Sequence, residues 1–288
     1  MNNETFPQYQ PYLFSIAYRM LGSVMDAEDM VQEAWLRWQK SNQTQVESPK
    51  SFLASVVTRL CIDHLRSAKV RRESYIGPWL PEPLLSEPES NDGEAIMMLA
   101  DNVSYAFLQL LERMTPTERA VYLLRHVFEY EYKEISLIVE KSEAACRQIF
   151  RRARQHLTAD QPRFDMNWEA QQLLLGQFWQ ACLENDVQSL QSILAEDVIF
   201  YSDGGGKAKA ARRPVQSKSK VLSFLLGLIR LAPADFQARP AIINGQMGAV
   251  GEVNGRIFNI FVFYMRNGRI QNIYSVLNPD KLKHIKLE

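Results

Sequence analysis

Three clusters of side chains in this 288-residue sequence have the types and spacing to do chemistry or to hold charge. The first is Asp203-Gly204-Gly205-Gly206-Lys207, whose glycines and lysine look like a phosphate-cradling loop. A P-loop needs GxxxxGK followed by Ser or Thr. Counting back from Gly206-Lys207 puts Tyr201 where the first glycine belongs, and Ala208 follows the lysine. Both positions fail, so magnesium-nucleotide binding is not expected, and the glycines read instead as a place of positive φ and close backbone approach. The second cluster is Arg147, Gln148, Arg151 and Arg154, which project from a helix whose other face is Cys146, Phe150, Ala153 and Leu157. A short helix, a turn and this second helix make a helix-turn-helix layout. There arginine can donate two hydrogen bonds to one guanine in the major groove while others grip phosphate. The competing account is a solvated basic face of a bundle; the turn, the cap and the apolar face together weigh for DNA. The third cluster is acidic: Asp26, Glu28, Asp29 and Glu33 on one helix, a face that DNA would repel and that suits a protein partner or plain solvent.

These clusters need scaffolds, and the chain is long enough for two or three domains. Formal net charge is zero, so the basic and acidic surfaces are segregated within a neutral whole, and 46% hydrophobic residues suffice for globular cores. Cys61, Cys146 and Cys182 lie far apart, with no CxxC pair and no histidine cluster; they read as buried thiols, and no metal site is expected. The polar start MNNETFPQYQ has no signal-peptide order, and no apolar run approaches the roughly 20 residues of a membrane helix. A soluble, cytoplasmic protein without membrane contact is expected.

From Phe6 to about Val70 the apolar spacing is helical. Gly22 punctuates it, Asp26 opens a second helix that runs through Trp38, and the loop SNQTQVESP leads to a third helix from Lys50. That third helix is basic toward its end, with Arg59, Arg66, Lys69, Arg71 and Arg72. GPWLPEPLLSEPESNDG, with four prolines, excludes a compact helix and marks a linker, although WLPEPLL is apolar enough to dock. Helical spacing returns from Glu94 to Leu157. Thr115-Pro116 with Glu118 is a capping-box start, and Ser142 is a second cap. Beyond DQPRFD come helices at Trp168–Glu184 and Val187–Leu194, the strand VIFYS, a helix from about Val215 to Leu231, and four strand-like segments. Asn244-Gly245, Asn254-Gly255 and Asn267-Gly268 are their hairpin turns. The last unit is therefore α+β, with helices on a curved antiparallel sheet.

YRMLGSVMDAEDMVQEAWLRW, SPKSFLASVVTRLCIDHLRSAKVRR and LLERMTPTERAVYLLRHVFEYEYKEISLIVEKSEAACRQIFRRARQHL, in this order, resemble regions 2 and 4 of sigma-70-type sigma factors of the extracytoplasmic-function (ECF) group. The resemblance implies an all-α region 2 bundle at 1–72, a linker at 73–93 and a region 4 helix-turn-helix at 94–160. It implies that Asp26, Asp29, Gln32 and Glu33 bind the β′ clamp helices of core RNA polymerase, with the β subunit a further partner. It implies that Asn42, Gln43 and Thr44 read unstacked promoter bases of the −10 element, and that Arg59, Arg66, Arg71 and Arg72 hold backbone there. Arg147, Gln148, Arg151 and Arg154 would enter the −35 major groove.

The stretch from about Trp168 to Leu277, in a domain expected at 166–288, resembles the SnoaL-like cone of polyketide cyclases and ketosteroid isomerases. One ECF subgroup carries such a domain together with three motifs, WLPEP, DGGGK and NPDKL. Here they stand as Trp79-Leu80-Pro81-Glu82-Pro83, Asp203 to Lys207, and Asn278-Pro279-Asp280 with Lys281-Leu282. That resemblance implies a fused regulator; the apolar, stiff WLPEP and the close-approaching DGGGK backbone suggest that the cone clasps the linker and sets the spacing of regions 2 and 4. Isomerases of this fold use a carboxylate in an apolar cavity. Asp203 and Tyr201 are the residues to cast, but no histidine lies between His156 and His284, so neither an enzyme nor a cofactor is expected. The second reading is a DNA-binding transcriptional regulator whose cone senses a small ligand.

Overall fold

The structure, a computed structural model, describes residues 6–72, 75–86, 104–158 and 168–285. They gather into two compact units. One holds residues 6–72 and 107–158; the other holds 75–86, 104–106 and 168–285.

The first unit is all helix: α1 (Gln10–Leu21), α2 (Val24–Lys40), α3 (Pro49–Arg72), α4 (Tyr105–Leu111, entering from the other unit), α5 (Pro116–His126), α6 (Tyr132–Val139) and α7 (Glu143–Thr158). Gly22 ends α1 at φ 65°, and Ser23 caps α2 by accepting from the Asp26 backbone N–H at 3.1 Å, so the helix begins before Asp26. Leu13, Ile16, Ala27, Trp38, Leu53, Val57 and Cys61 form the buried seam of α1–α3. At α5 both halves of the Thr115–Glu118 capping box are made, and Ser142 Oγ accepts from the Ala145 N–H at 3.2 Å to start α7. The sequence segment expected to open region 4, residues 94–103, lies outside the described residues. α5 packs on α1 and α3, and α6 on α3. Arg119, nearly buried, donates to the Met20 carbonyl at the end of α1 and pairs with Glu112 at 2.7 Å.

The second unit is a mixed sheet covered on both faces. Its elements are β1 (Leu85–Ser86), α8 (Trp168–Glu184), α9 (Val187–Ile193), β2 (Leu194–Asp203), β3 (Val215–Gln216), α10 (Lys218–Leu231), β4 (Gln237–Ile243), β5 (Gln246–Val253), β6 (Arg256–Arg266) and β7 (Arg269–Val276). The strand order is β1-β4-β5-β6-β7-β2-β3. Asn244, Gly245, Asn254, Gly255, Asn267 and Gly268 all take φ between 51° and 69°, the left-handed pairs that tight hairpins require. The pairings are antiparallel except β2 with β7, which is parallel; β3, α10 and the strands β4 to β6 separate those two strands in the chain. The expected antiparallel sheet is thus mixed. Val215 and Gln216, expected to open a helix, pair instead with β2.

β6 reads RIFNIFVFYMR, without clean alternation, because both its faces are buried. On one face Phe263 and Met265 meet Phe178 of α8, Val221 and Leu225 of α10, and Phe200. On the other, Val262 and Tyr264 join Val250, Tyr274 and Val276 under Leu80 and Tyr105. The linker strand β1 adds to the edge at β4, pairing Leu85 with Ile243 and Ser86 with Ile242. Asn244 holds this junction, donating its N–H to Leu84 O at 2.8 Å and accepting from the Leu84 N–H through Oδ1 at 3.1 Å. Asn244→Ala removes that acceptor and leaves at φ 52° a residue less suited than Asn to the left-handed region. The expected loss is about 1–3 kcal/mol in urea unfolding, with Asn244→Asp closer to the parent.

Candidate functional site

WLPEP, DGGGK and NPDKL meet within the second unit, around one carboxylate. Asp203 ends β2 and has no exposed surface. Its Oδ1 accepts from Tyr75 Oη at 2.5 Å and from the Gly205 N–H at 3.0 Å. Its Oδ2 accepts from the Leu80 N–H at 2.8 Å and from Lys281 Nζ at 2.8 Å. The Asp203 carbonyl accepts from the N–H groups of Leu277 and Asn278, both at 2.8 Å, which fixes the chain leaving β7. Burying a charge is tolerable only when it is paired and its lone pairs are filled, and here both conditions hold.

Lys281 completes the arrangement. Its side chain is 6% exposed, its ammonium also donates to Leu80 O, and it sits 4.0 Å from the centre of the Trp79 ring. Lys281 therefore reads the backbone and the aromatic side chain of WLPEP together, a cation–π contact strengthened by burial. Leu80 is fully buried against Val250, Ile260 and Val276. Pro81 O accepts from Tyr105 Oη, Pro83 O from His284 Nε2 at 2.8 Å, and the Tyr105 N–H donates to Gln246 Oε1 at 2.9 Å. Pro81, Glu82 and Pro83 are themselves buried. The prolines lack N–H donors, so the strip offers carbonyls and an apolar side, and its partners supply the donors.

The glycines now have a reason. Gly205 has φ 56°, and a Cβ there would lie 2.2 Å from Asn278 Nδ2 and 3.0 Å from Tyr75 Oη. At Gly204 a Cβ would lie 2.3 Å from the Ala208 carbonyl oxygen. The loop is bare so that the linker and the NPDKL turn can close on it, not to admit phosphate. Lys207, at its end, bonds Asp280, and Lys283 bonds the same carboxylate at 2.7 Å, holding Asp280 below the usual carboxylate range. Asn278 caps the turn by accepting from the Asp280 N–H at 3.1 Å and donates to Tyr75 Oη at 3.0 Å; Pro279 starts the turn. Gly206, at φ 73°, passes against Ile76. Burial, then the Asp203 carboxylate, pushes the Tyr75 hydroxyl up, so it stays a donor.

Tyr75, Tyr105, Lys281 and His284 were not among the expected contact residues. Lys281 stands inside the NPDKL motif; the others carry no local signal, because their partners lie 24 to 203 residues away. The isomerase casting of Asp203 does not fit this geometry: the carboxylate is fully buried and saturated with donors, whereas a general base needs an open lone pair beside a substrate. Tyr201 stacks on Tyr274 at 5.2 Å.

In the first unit, Asp29 and Gln32 are exposed on α2, with Asp26 and Glu33 half-buried beside them. Asp26 lies 3.4 Å from His64 Nε2, and Glu33 pairs with Arg37 at 2.9 Å. Asn42 and Thr44 are exposed on a single 3₁₀ turn, Gln43–Gln45, and bonded to each other at 2.7 Å, while Gln43 turns back to the Trp38 carbonyl at 3.3 Å. Arg59 does not point into an open groove: it donates to Leu137 O at 2.7 Å and Ile138 O at 3.0 Å, capping the C-terminus of α6. Arg66 meets Asp63 at 3.4 Å; Arg71 and Arg72 end α3, and their side chains lie outside the described residues. On α7, Cys146, Ala153 and Leu157 are buried, and Arg147, Gln148, Arg151 and Arg154 are exposed. Arg147 is steadied by Glu143 at 2.9 Å and by the Tyr132 ring at 5.0 Å.

Asp203→Asn leaves the Lys281 ammonium buried without its counter-charge. The expected cost is about 3–5 kcal/mol in thermal or urea unfolding of the C-terminal unit, and Asp203→Asn with Lys281→Met should recover part of it. Equal losses in the single and double variants would show that the two charges do not act as a pair.

Residues 5–71 match the family Sigma-70 region 2, and residues 104–157 match Sigma-70, region 4. The chain is 36% identical over 291 residues to the ECF RNA polymerase sigma factor SigJ of Mycobacterium tuberculosis, covering 98% of this chain and 93% of that protein. It is 27% identical to the probable ECF RNA polymerase sigma factor SigI of the same species, covering 97% and 94%. The crystal structure of M. tuberculosis SigJ matches over 100% of both chains, with 33% identity and a TM-score of 0.81. The likeness thus runs through both helical regions and on through the linker and the α+β cone. With helix-turn-helix, acidic α2 and cone all inside one alignment, this chain belongs to the ECF group of sigma-70-type RNA polymerase sigma factors.

Proposed function

We propose that the SnoaL-like cone of this sigma factor is a built-in clamp on the linker between regions 2 and 4, and that closing it fixes the distance at which the two regions read their promoter elements. One observation carries this reading: a sigma-linker segment, Trp79 to Pro83, is part of the cone's own core and is held there by the buried Asp203–Lys281 pair. A passive tether would leave the strip in solvent. The protein is then a binding subunit with no chemistry of its own. The acids of α2, Asp26, Asp29 and Glu33 with Gln32, engage the polymerase clamp, and α7 presents Arg147, Gln148, Arg151 and Arg154 to the −35 major groove. Asn42 and Thr44 meet the −10 element with Arg66, Arg71 and Arg72, and Arg59 joins them after leaving the α6 carbonyls. The packed aromatic interior, Phe178, Trp179, Phe200 and Phe263, supports the clamp rather than a ligand sensor.

The deciding experiment is run-off transcription with core polymerase on promoters whose element spacing varies by single base pairs. The intact chain should prefer one spacing, and Lys281→Met should broaden that preference or change total output. Indistinguishable spacing profiles would end the clamp reading.

Neutralising two acids of α2 together, Asp29→Asn with Glu33→Gln, should weaken assembly with core polymerase at least tenfold in a competition assay, without changing the unfolding midpoint. Arg151→Ala should cost about 1–3 kcal/mol for a matched −35 element if the side chain reads a base. If it holds phosphate, the loss should be uniform across sequences and the salt slope should fall by about 1.

A further inference from the structure

From Gly204 to Ala234 the sequence contains seven basic residues and no acid. Six of them fall between Lys207 and Lys220. They lie on the β2–β3 connection and the first turn of α10, an element tied down at both margins. Ala211 N–H donates to Ser202 Oγ at 2.9 Å, Lys207 and Ala208 N–H both donate to Gly204 O, and Val215 and Gln216 pair with β2. Two of the six cations are neutralised within the chain, Lys207 by Asp280 and Lys218 by Glu196 at 2.6 Å. Lys209, Arg212, Arg213 and Lys220 are exposed and have no carboxylate partner among the described residues. A hollow of about 400 Å³ opens beside Lys209 and Arg212, lined also by Gly206 and Lys207.

The pattern is costly for the fold alone. α10 begins with Lys218 and Lys220 and has no acid in its first turn, the wrong sign for the helix dipole. Arg212 and Arg213 are adjacent like charges. Glu196 answers Lys218, but Lys220, Arg212 and Arg213 have no such carboxylate among the described residues, which points to an outside partner of opposite charge. The composition narrows its kind. Residues 204–213 contain only Gly, Lys, Ala and Arg. Protein interfaces take most of their energy from buried aromatic and large apolar anchors, and this stretch has none. Phosphate backbone needs only cations and approachable main chain, which is what lysine, arginine, glycine and alanine provide.

We propose that the cone carries a second, sequence-independent DNA-binding surface, made by Lys209, Arg212, Arg213 and Lys220, that holds the duplex phosphates of the promoter once the holoenzyme is assembled. It adds affinity without specificity. It also makes the C-terminal domain a contributor to promoter binding as well as a clamp.

The test uses the full-length chain with core polymerase and a promoter duplex with long flanks, and measures binding across a series of KCl concentrations. Changing all four residues to Gln should lower the slope of log K against log salt by about 2–4, since each phosphate contact contributes about 0.9. Arg212→Gln with Arg213→Gln should give about half that change. Exchanging Lys and Arg at the four positions should keep the parental slope. The loss should be the same when flanking sequence is scrambled. An unchanged slope in both Gln variants overturns the proposal. So does a Gln variant that weakens assembly with polymerase in the absence of DNA, which would assign the patch to an acidic protein surface.

Discussion

The second unit is organised by one buried charge pair. Asp203 and Lys281, in contact at 2.8 Å, together grip the Leu80 backbone, the carboxylate taking its N–H and the ammonium its carbonyl. Two charged side chains thereby do for a single residue of the linker what a neighbouring strand does in a sheet. Apolar contacts alone tolerate sliding, because one leucine or proline replaces another at little cost. A charge pair that fits only one peptide unit does not. Buried ion pairs are weak sources of net stability, and their best-attested use is to fix register. The same logic accounts for the small residues around it: Gly205 leaves room for Asn278 of the NPDKL turn and for the Tyr75 hydroxyl, and Gly204 lets the loop fold back on its own Ala208 carbonyl.

The sheet needed such a cover. A strand that faces water on one side alternates; β6 does not, and neither does the chain from Ile270 to Val276 as clearly as an exposed strand would. Helices α8 to α10 can satisfy one face only. The opposite face, with Val250, Ile260, Val262, Tyr264, Tyr274 and Val276, would present a contiguous apolar surface of the kind soluble chains avoid. The linker supplies Leu80 and Leu85 to that face and β1 to its edge, and α4 adds Tyr105. The WLPEP strip is therefore not optional packing. Its withdrawal would uncover a second core, and that gives the proposed clamp two distinct states rather than a continuum of loosened ones.

What was legible in the sequence is what local physics decides. Thr115 with Glu118, Ser142, and the three Asn-Gly turns each act within four residues, and each stands where its chemistry predicts. The inward face of α7 follows from a 3.6-residue period and is present as expected. What was not legible depends on partners distant in the chain. Nothing near Leu85 predicts a strand, because its pairing partner is Ile243. The parallel β2–β7 contact depends on the path of the intervening chain rather than on either strand's composition. Arg59 reads as a free cation on a basic helix, yet the α6 carbonyls claim it, since a helix C-terminus offers unsatisfied acceptors and attracts positive charge.

That last contact links the two DNA-reading regions inside the first unit. Arg59 leaves α3 and closes on Leu137 and Ile138, at the turn of the helix-turn-helix, while Arg119 leaves α5 and closes on Met20, at the end of α1. Each arginine caps a helix terminus of the other region, so the exchange is reciprocal. Arg119 is nearly buried and paired with Glu112, the mark of a structural residue; Arg59 is half exposed, and its nearest carboxylate, Glu140, stands 3.7 Å away in solvent. Exposed pairs of that kind contribute at most about 1 kcal/mol. The Arg59 contact is thus the weaker of the two, and phosphate, a stronger acceptor than a backbone carbonyl, can compete for the guanidinium.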